Sequence, residues 1–160
     1  MAIDLGEKRT GLAMGDRETG LVSALEVIEC AIDADAGKML LERLARAIEN
    51  HLGDSAGTLV MGLPLNMDGS EGAQAKKART FGELLAARTS RAVVYHDERL
   101  TSVEADWSMA RTGMTRGQKK EKRDALAAAA ILRDYFGSLR GESAGSDGGV
   151  SDSPDVGEDS

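Results

Sequence analysis

The sequence predicts an α/β fold: a five-stranded mixed sheet, three antiparallel strands then two parallel, with helices on both faces. Three observations predict it. Short apolar runs joined by two brief connections open the chain, so the first three strands form an antiparallel meander. Helix-period segments then alternate with two more apolar runs, which requires crossover connections and parallel pairing. Aromatic residues are only 3% of the 160 residues, so the core between these layers is aliphatic.

Residues 2–5 and 11–16 read as strands around a turn at 6–10, and 21–29 as a third strand. Leu40, Leu44, Ile48 and Leu52 recur every fourth residue and predict a helix over 36–52. A short apolar strand over 58–61 ends at Gly62. Residues 71–88 are rich in Ala, Lys, Arg, Glu and Leu, a helical composition, and Arg-Ala-Val-Val-Tyr at 91–95 is strand-like. Thr101 and Glu104 make a capping-box pattern that opens a helix to about 111. A Gly- and Lys-rich loop follows over 113–120. Ala127, Ala128, Ile131, Leu132 and Tyr135 then line one face of a last helix. Residues 1–140 form one domain. Residues 141–160 are nearly all Gly, Ser, Asp, Glu and Pro, too poor in apolar surface to offset the cost of ordering, and are expected to be disordered.

The chain carries 20 basic and 27 acidic residues, a net charge of −7 that counts against a nucleic-acid partner. Read by position, the objection weakens. Six acids and no base lie in 141–160, so the rest is close to neutral. Within it, Arg111, Arg116, Lys119, Lys120, Lys122 and Arg123 face a single acid, Glu121, in one short basic segment. One cysteine, Cys30, excludes an internal disulfide, and two histidines beside it are too few soft ligands for structural zinc. No apolar run of membrane length and no secretory leader are visible. A soluble, cytoplasmic protein that does not engage membranes is expected.

This strand arrangement is the ribonuclease-H-like architecture. It sets the first strand beside the fourth and brings the C-terminal ends of the first, fourth and fifth strands to one edge. Asp4 closes an apolar run before Gly6, either as a turn aspartate or as a carboxylate aimed into the crevice at that edge. The Asp4-to-Gly11 spacing also matches the phosphate loop of the actin, sugar-kinase and Hsp70 superfamily. Those proteins clamp a nucleotide between two such domains, and this chain is long enough for one. His96-Asp97-Glu98-Arg99 follows the fifth strand. Strand alternation lets only one of the two acids face a shared site, an ion pair with Arg99 is the plain alternative for either, and His96 reads as a bridging residue. Asp124 lies in line with the apolar stripe of the last helix, near its first turn. It is either a helix-start aspartate favoured by the dipole or an inward carboxylate in need of a positive partner. Three acids at one edge are hard oxygen ligands suited to Mg²⁺ or Mn²⁺. In the loop 62–70, glycines let backbone approach a ligand and Ser70 is placed to cap the next helix. Asp68 reads as a turn residue, Met67, Met109 and Met114 as packing residues, and Trp107 as a core or rim anchor.

Four stretches, IDLGEKRTGLA (3–13), VMGLPLNMDGSEG (60–72), DERLTSVEA (97–105) and KKEKRDALAAAAIL (119–132), closely resemble the YqgF family, also called RuvX. These are pre-16S ribosomal RNA nucleases once predicted to be Holliday junction resolvases. The match runs from residue 1 to about 137, with the motifs in order. The resemblance implies a metal-dependent phosphodiester hydrolase in ribosome biogenesis, acting on the 5′ end of precursor 16S RNA by a two-metal mechanism. By position it implies Asp4, Glu98 and Asp124 as the catalytic, metal-holding acids, with Asp97 the alternative at the middle place. Lys8, Arg9 and Arg99 beside the acids, Asn66 in the loop, and Arg116, Lys119, Lys120, Lys122 and Arg123 further out are expected to contact nucleic acid. The expected partners are precursor RNA and ribosome precursors, for a monomer or weak homodimer. A Holliday junction resolvase acting on branched DNA and a non-catalytic RNA- or ribosome-binding module are the rivals. Only three residues precede Asp4, fewer than is usual in the family, so the start of the chain is expected to be truncated.

The acidic tail is expected to compete with RNA for the basic segment. Deleting 141–160 should therefore tighten RNA binding at low salt, measured by filter binding; equal affinity would remove the idea.

Overall fold

The computed structural model of the chain describes residues 1–100 and 115–144. Its elements are β1 (Ala2–Leu5), β2 (Arg9–Gly15), β3 (Val22–Glu29), α1 (Lys38–Leu52), β4 (Leu59–Leu63), α2 (Ala73–Thr89), β5 (Val93–Asp97) and α3 (Arg116–Ala144). The strands lie in the order β3-β2-β1-β4-β5. The first three pair antiparallel, while β4 runs parallel to β1 on one side and β5 on the other. This is the mixed sheet that the sequence predicts, with β1 at its centre. The expected helix over 101–111 lies outside the described residues, and so do Trp107, Met109, Arg111 and Met114.

Side-chain alternation splits the sheet into two faces. Ile3, Leu12, Ile28, Leu59, Met61 and Leu63 pack under α1 and α2 against Leu40, Leu44, Ile48, Phe81 and Leu85. Ala2, Ala13 and Val60 pack on the other face against Ala128, Ala129, Ile131 and Leu132 of α3. The two cores differ in kind. The first is built mainly from large side chains, whereas alanines supply four of the seven buried residues of the second.

Small residues on the α3 face explain that difference. Gly11 and Gly15 flank Ala13 on β2, and a Cβ at Gly11 would collide with the backbone of Asp124. At Gly15 the added carbon would lie 2.9 Å from Leu132 Cδ2 and 3.0 Å from Phe136 Cε2. The helix therefore rests almost directly on the strand.

The expected loop over 113–120 is corrected from Arg116 onward, because α3 begins there. Residues 116–124 contain no apolar periodicity, but Lys, Gln, Glu and Arg are good helix formers, and these turns extend into solvent before the apolar face begins at Ala125. Asp124 is thus the ninth residue of α3 and not a first-turn residue, which removes the helix-dipole account of its presence. The helix also runs four residues past 140, and 145–160 lie outside the described residues.

Replacing Gly11 by Ala should lift α3 from β2 and destabilise the fold by roughly 2 kcal/mol or more, the scale of overpacking in a tight core. Urea unfolding checks this; a midpoint within error of the parent would mean that the helix backbone gives way freely.

Candidate active site

Asp4 is two residues after Ala2 on β1 and so belongs to the α3 face. In register it faces Gly11, the residue on which the backbone of Asp124 rests. Glu98 arrives from the other side. Val94 packs toward α3 while Val93 and Tyr95 pack toward α2, so the strand's alternation sends Asp97 toward the α2 face. Glu98 is the first residue of the 3₁₀ turn after β5, and its Oε1 lies against Gly62 at the end of β4. A Cβ at position 62 would displace this carboxyl and the tip of Ile131, so glycine leaves the space that the carboxyl occupies.

Asp4 and Glu98 meet directly, carboxyl to carboxyl, through a hydrogen bond. Such a contact requires a proton on one of them. Burial is the main cause that pushes Asp4 up to about 6, with the charge of Asp124 adding to it and the hydrogen bond from Glu98 opposing. Glu98 is pushed up to about 7 by burial first, then by the charge of Asp4. Two largely buried carboxyls that cannot both ionise cheaply are a site in want of positive charge.

The other candidates divide. Asp97 is bound by Arg99 through Nε–Oδ1 at 3.0 Å and Nη2–Oδ2 at 2.7 Å, and that guanidinium holds the Asp97 carboxyl below its usual range. Arg99 also donates from Nη1 to the carbonyls of Asn66 and Met67, at 3.3 and 3.2 Å. It therefore clamps the loop 62–70 to the end of β5, and is engaged as a brace where the sequence suggested a phosphate contact. His96 bridges as expected, with Nε2 2.6 Å from Asp134 Oδ2 on α3. Arg9 sits between acids: Nη2 is 2.7 Å from Glu29 and Nη1 is 3.6 Å from Asp124 Oδ2.

A groove of about 550 Å³ is lined by Asp4, Gly6, Glu7, Lys8, Arg9, Glu29, Lys120 and Asp124. Lys8 and Lys120 are exposed at its rim. The rest of the basic set on α3 spreads out: Arg116 and Arg123 are exposed, Lys119 is half-buried, and Lys122 lines a different groove with Leu25 and Val27 of β3.

Two loop expectations are corrected. Ser70 does not cap α2, whose N-cap is Gly72 without a side-chain bond. Its hydroxyl and amide both turn back to Asp68, at 2.6 and 2.9 Å, and Asn66 donates to the same hydroxyl, so Asp68 is the turn residue that the sequence suggested. Met67 does not pack; at the tip of this closed loop it is 96% exposed. Sequence reasoning also missed Glu29, the second anchor of Arg9, because no motif marks it.

Among the described residues, no three His, Cys, Asp or Glu side chains are placed together to hold a metal ion. The acids form a pair, Asp4 with Glu98, and Asp124 stands apart beside Arg9. Mg²⁺ commonly takes only one or two carboxylates and completes its shell with water and substrate phosphate. The half-buried pair, all oxygen and lacking one positive charge, fits such an ion.

A sheet in the order β3-β2-β1-β4-β5, with acids gathered where its central and parallel strands end, is the architecture of ribonuclease-H-like nucleases. Comparison with known proteins refines this. A family model described as "RuvX: Holliday junction resolvase" matches residues 1–138. A protein of Agathobacter rectalis named "Putative pre-16S rRNA nuclease" is 36% identical over 139 residues, 87% of this chain and 94% of its own. Relatives of the same name from Lactiplantibacillus plantarum and Salmonella dublin are 37% and 38% identical over 137 and 136 residues. They cover 85% of this chain and 92% and 94% of their own lengths. The chain belongs to the RuvX family of nucleases. No helix among the described residues is long and apolar enough to cross a membrane.

Carboxyls whose pKa rises on folding stabilise the protein below their unfolded values near 4, and that stabilisation is lost as pH climbs through about 6 to 7. Chelator-treated protein should therefore melt lower at pH 7.5 than at pH 5, by on the order of 2 kcal/mol or roughly 5–8 °C. Asp4→Asn should flatten this dependence. A metal-free Tm that rises from pH 5 to 7.5 would contradict the pairing.

Proposed function

We propose that this chain is a divalent-cation-dependent nuclease that trims the 5′ end of precursor 16S ribosomal RNA in the cytoplasm, on ribosome precursors. The observation that carries the reading is the half-buried Asp4–Glu98 pair, whose Asp4 lines a groove rimmed by lysines. Asp4 and Glu98 would hold Mg²⁺ or Mn²⁺, and Asp124 stands ready on the same edge as a third ligand. When bound, the cation supplies Lewis acidity for water activation and for the charge of the departing oxygen, two ions dividing these tasks.

The chain's own groups do the rest. Lys8 and Lys120 draw a phosphodiester into the groove, and the further bases of α3 extend the attraction along the backbone of a longer strand. Arg99 keeps the loop 62–70 in place, so Asn66 meets the nucleic acid from a fixed position. A non-catalytic RNA-binding module is disfavoured by the acids themselves. Carboxylates beside phosphate repel it, and a pure binder gains by losing them. A Holliday junction resolvase is favoured by the description of the matching family, whereas the names of the relatives favour precursor RNA.

A cleavage assay with Mg²⁺ or Mn²⁺, on precursor 16S RNA and on a four-way DNA junction, decides between them. Asp4→Asn and Asp124→Asn should each lower the rate by 10²-fold or more while circular dichroism stays native, the scale expected for losing a group that stabilises the transition state. Unchanged cleavage in both variants would defeat the assignment. Cleavage of the junction but not of the RNA would move the substrate to DNA.

A further inference from the structure

The placement of Asp124 raises a question that the nuclease reading leaves open. Its charge is felt by Asp4, and its backbone lies on Gly11, in register with Asp4. Yet the three acids are not grouped closely enough to hold one ion. Its ion-pair partner is Arg9, whose Nη1 lies 3.6 Å from Asp124 Oδ2. That distance is too long for a hydrogen bond, and Nη1 is buried without any hydrogen-bond partner. The other prong of the same guanidinium is fully engaged, 2.7 Å from Glu29 Oε1. Arg9 thus has one firm anchor and one loose one, and the loose one is Asp124.

We infer that Arg9 is a positioning residue that withholds Asp124 from the Asp4–Glu98 pair, in competition with a divalent cation. Glu29 keeps the guanidinium in the groove wall when Asp124 turns to the ion, so release costs a loose contact and not a buried unpaired charge. Arg9 sets the affinity with which the third carboxylate joins. The inference rests on the metal-binding reading of the acid pair.

Mn²⁺ alone is the probe, titrated by electron paramagnetic resonance into chelator-treated full-length chain, with no substrate present. Wild type should bind Mn²⁺ in an Asp4-dependent manner, and Arg9→Gln should tighten that binding by about three- to fivefold, the worth of a weak, partly exposed ion pair. In an Asp124→Asn background the same substitution should have no effect. That requirement separates competition for Asp124 from a general loss of positive charge, which would tighten binding in both backgrounds. Arg9→Lys keeps the charge but loses the two-pronged fork, so it should shift affinity in the same direction even if Arg9→Gln fails to fold. Asp4-dependent binding that is unchanged in both Arg9 variants, or tightened equally without Asp124, would overturn the role of Arg9 alone. Absence of Asp4-dependent binding would overturn the metal reading and this inference with it.

Discussion

The site depends on how low α3 lies on the sheet. Gly11 offers no side chain, so the helix backbone at Asp124 comes down onto β2, directly across from Asp4. Gly15 and Ala13 continue the same shallow track, and Ala128 and Ala129 meet it from the helix. On the neighbouring strand the same device works in miniature. Gly62 leaves a gap that the Glu98 carboxyl enters. Small residues here are positioning devices: each removes the bulk that would keep one acid from its partners.

The electrostatic consequence is a fold that carries its own cost. Bringing two carboxyls into a mostly buried contact raises both pKa values, and active sites are where such tension is commonly kept. The surrounding cations share the burden unequally. Arg99 is committed to Asp97 and to loop carbonyls, and Arg9 is split between Glu29 and Asp124. Lys8 and Lys120 add exposed, flexible point charges on the groove's rim.

Much of the fold was legible because apolar spacing encodes it: β1, the Leu40-Leu44-Ile48 face of α1 and the Ile131-Leu132 face of α3 all follow from period alone. The first turns of α3 were not, since residues 116–124 include no apolar side chain and their helicity comes from propensity joined to a packed segment downstream. Asp4 and Glu98, which meet, and Asp124, which stands apart beside Arg9, are all candidates that the sequence offers. Choosing Glu98 over Asp97 required knowing which face of β5 meets α3, and an edge strand that is apolar on both faces, as Val93, Val94 and Tyr95 make it, does not say. The bracing contacts of Arg99 were hidden for a related reason. A cation next to an acid in sequence looks available for phosphate until its five donors are counted against Asp97 and two carbonyls. Met67 was misplaced because hydrophobicity alone suggested packing, whereas a loop closed by Asp68 and Ser70 leaves its tip with nothing to pack on.

The unequal cores have a consequence for motion. Large aliphatic side chains tie α1 and α2 to the sheet, whereas α3 is held mainly by alanines with Ile131 and Leu132, and alanine gives up far less surface to burial than leucine does. Local opening follows the weakest cooperative unit. The last helix lies close on four strands through these small residues, with Tyr135 and Phe136 adding partly buried contacts toward its far end. Asp4 belongs to the central strand and Asp124 to the helix laid across it, so any loosening of α3 would move one acid and leave the other in place.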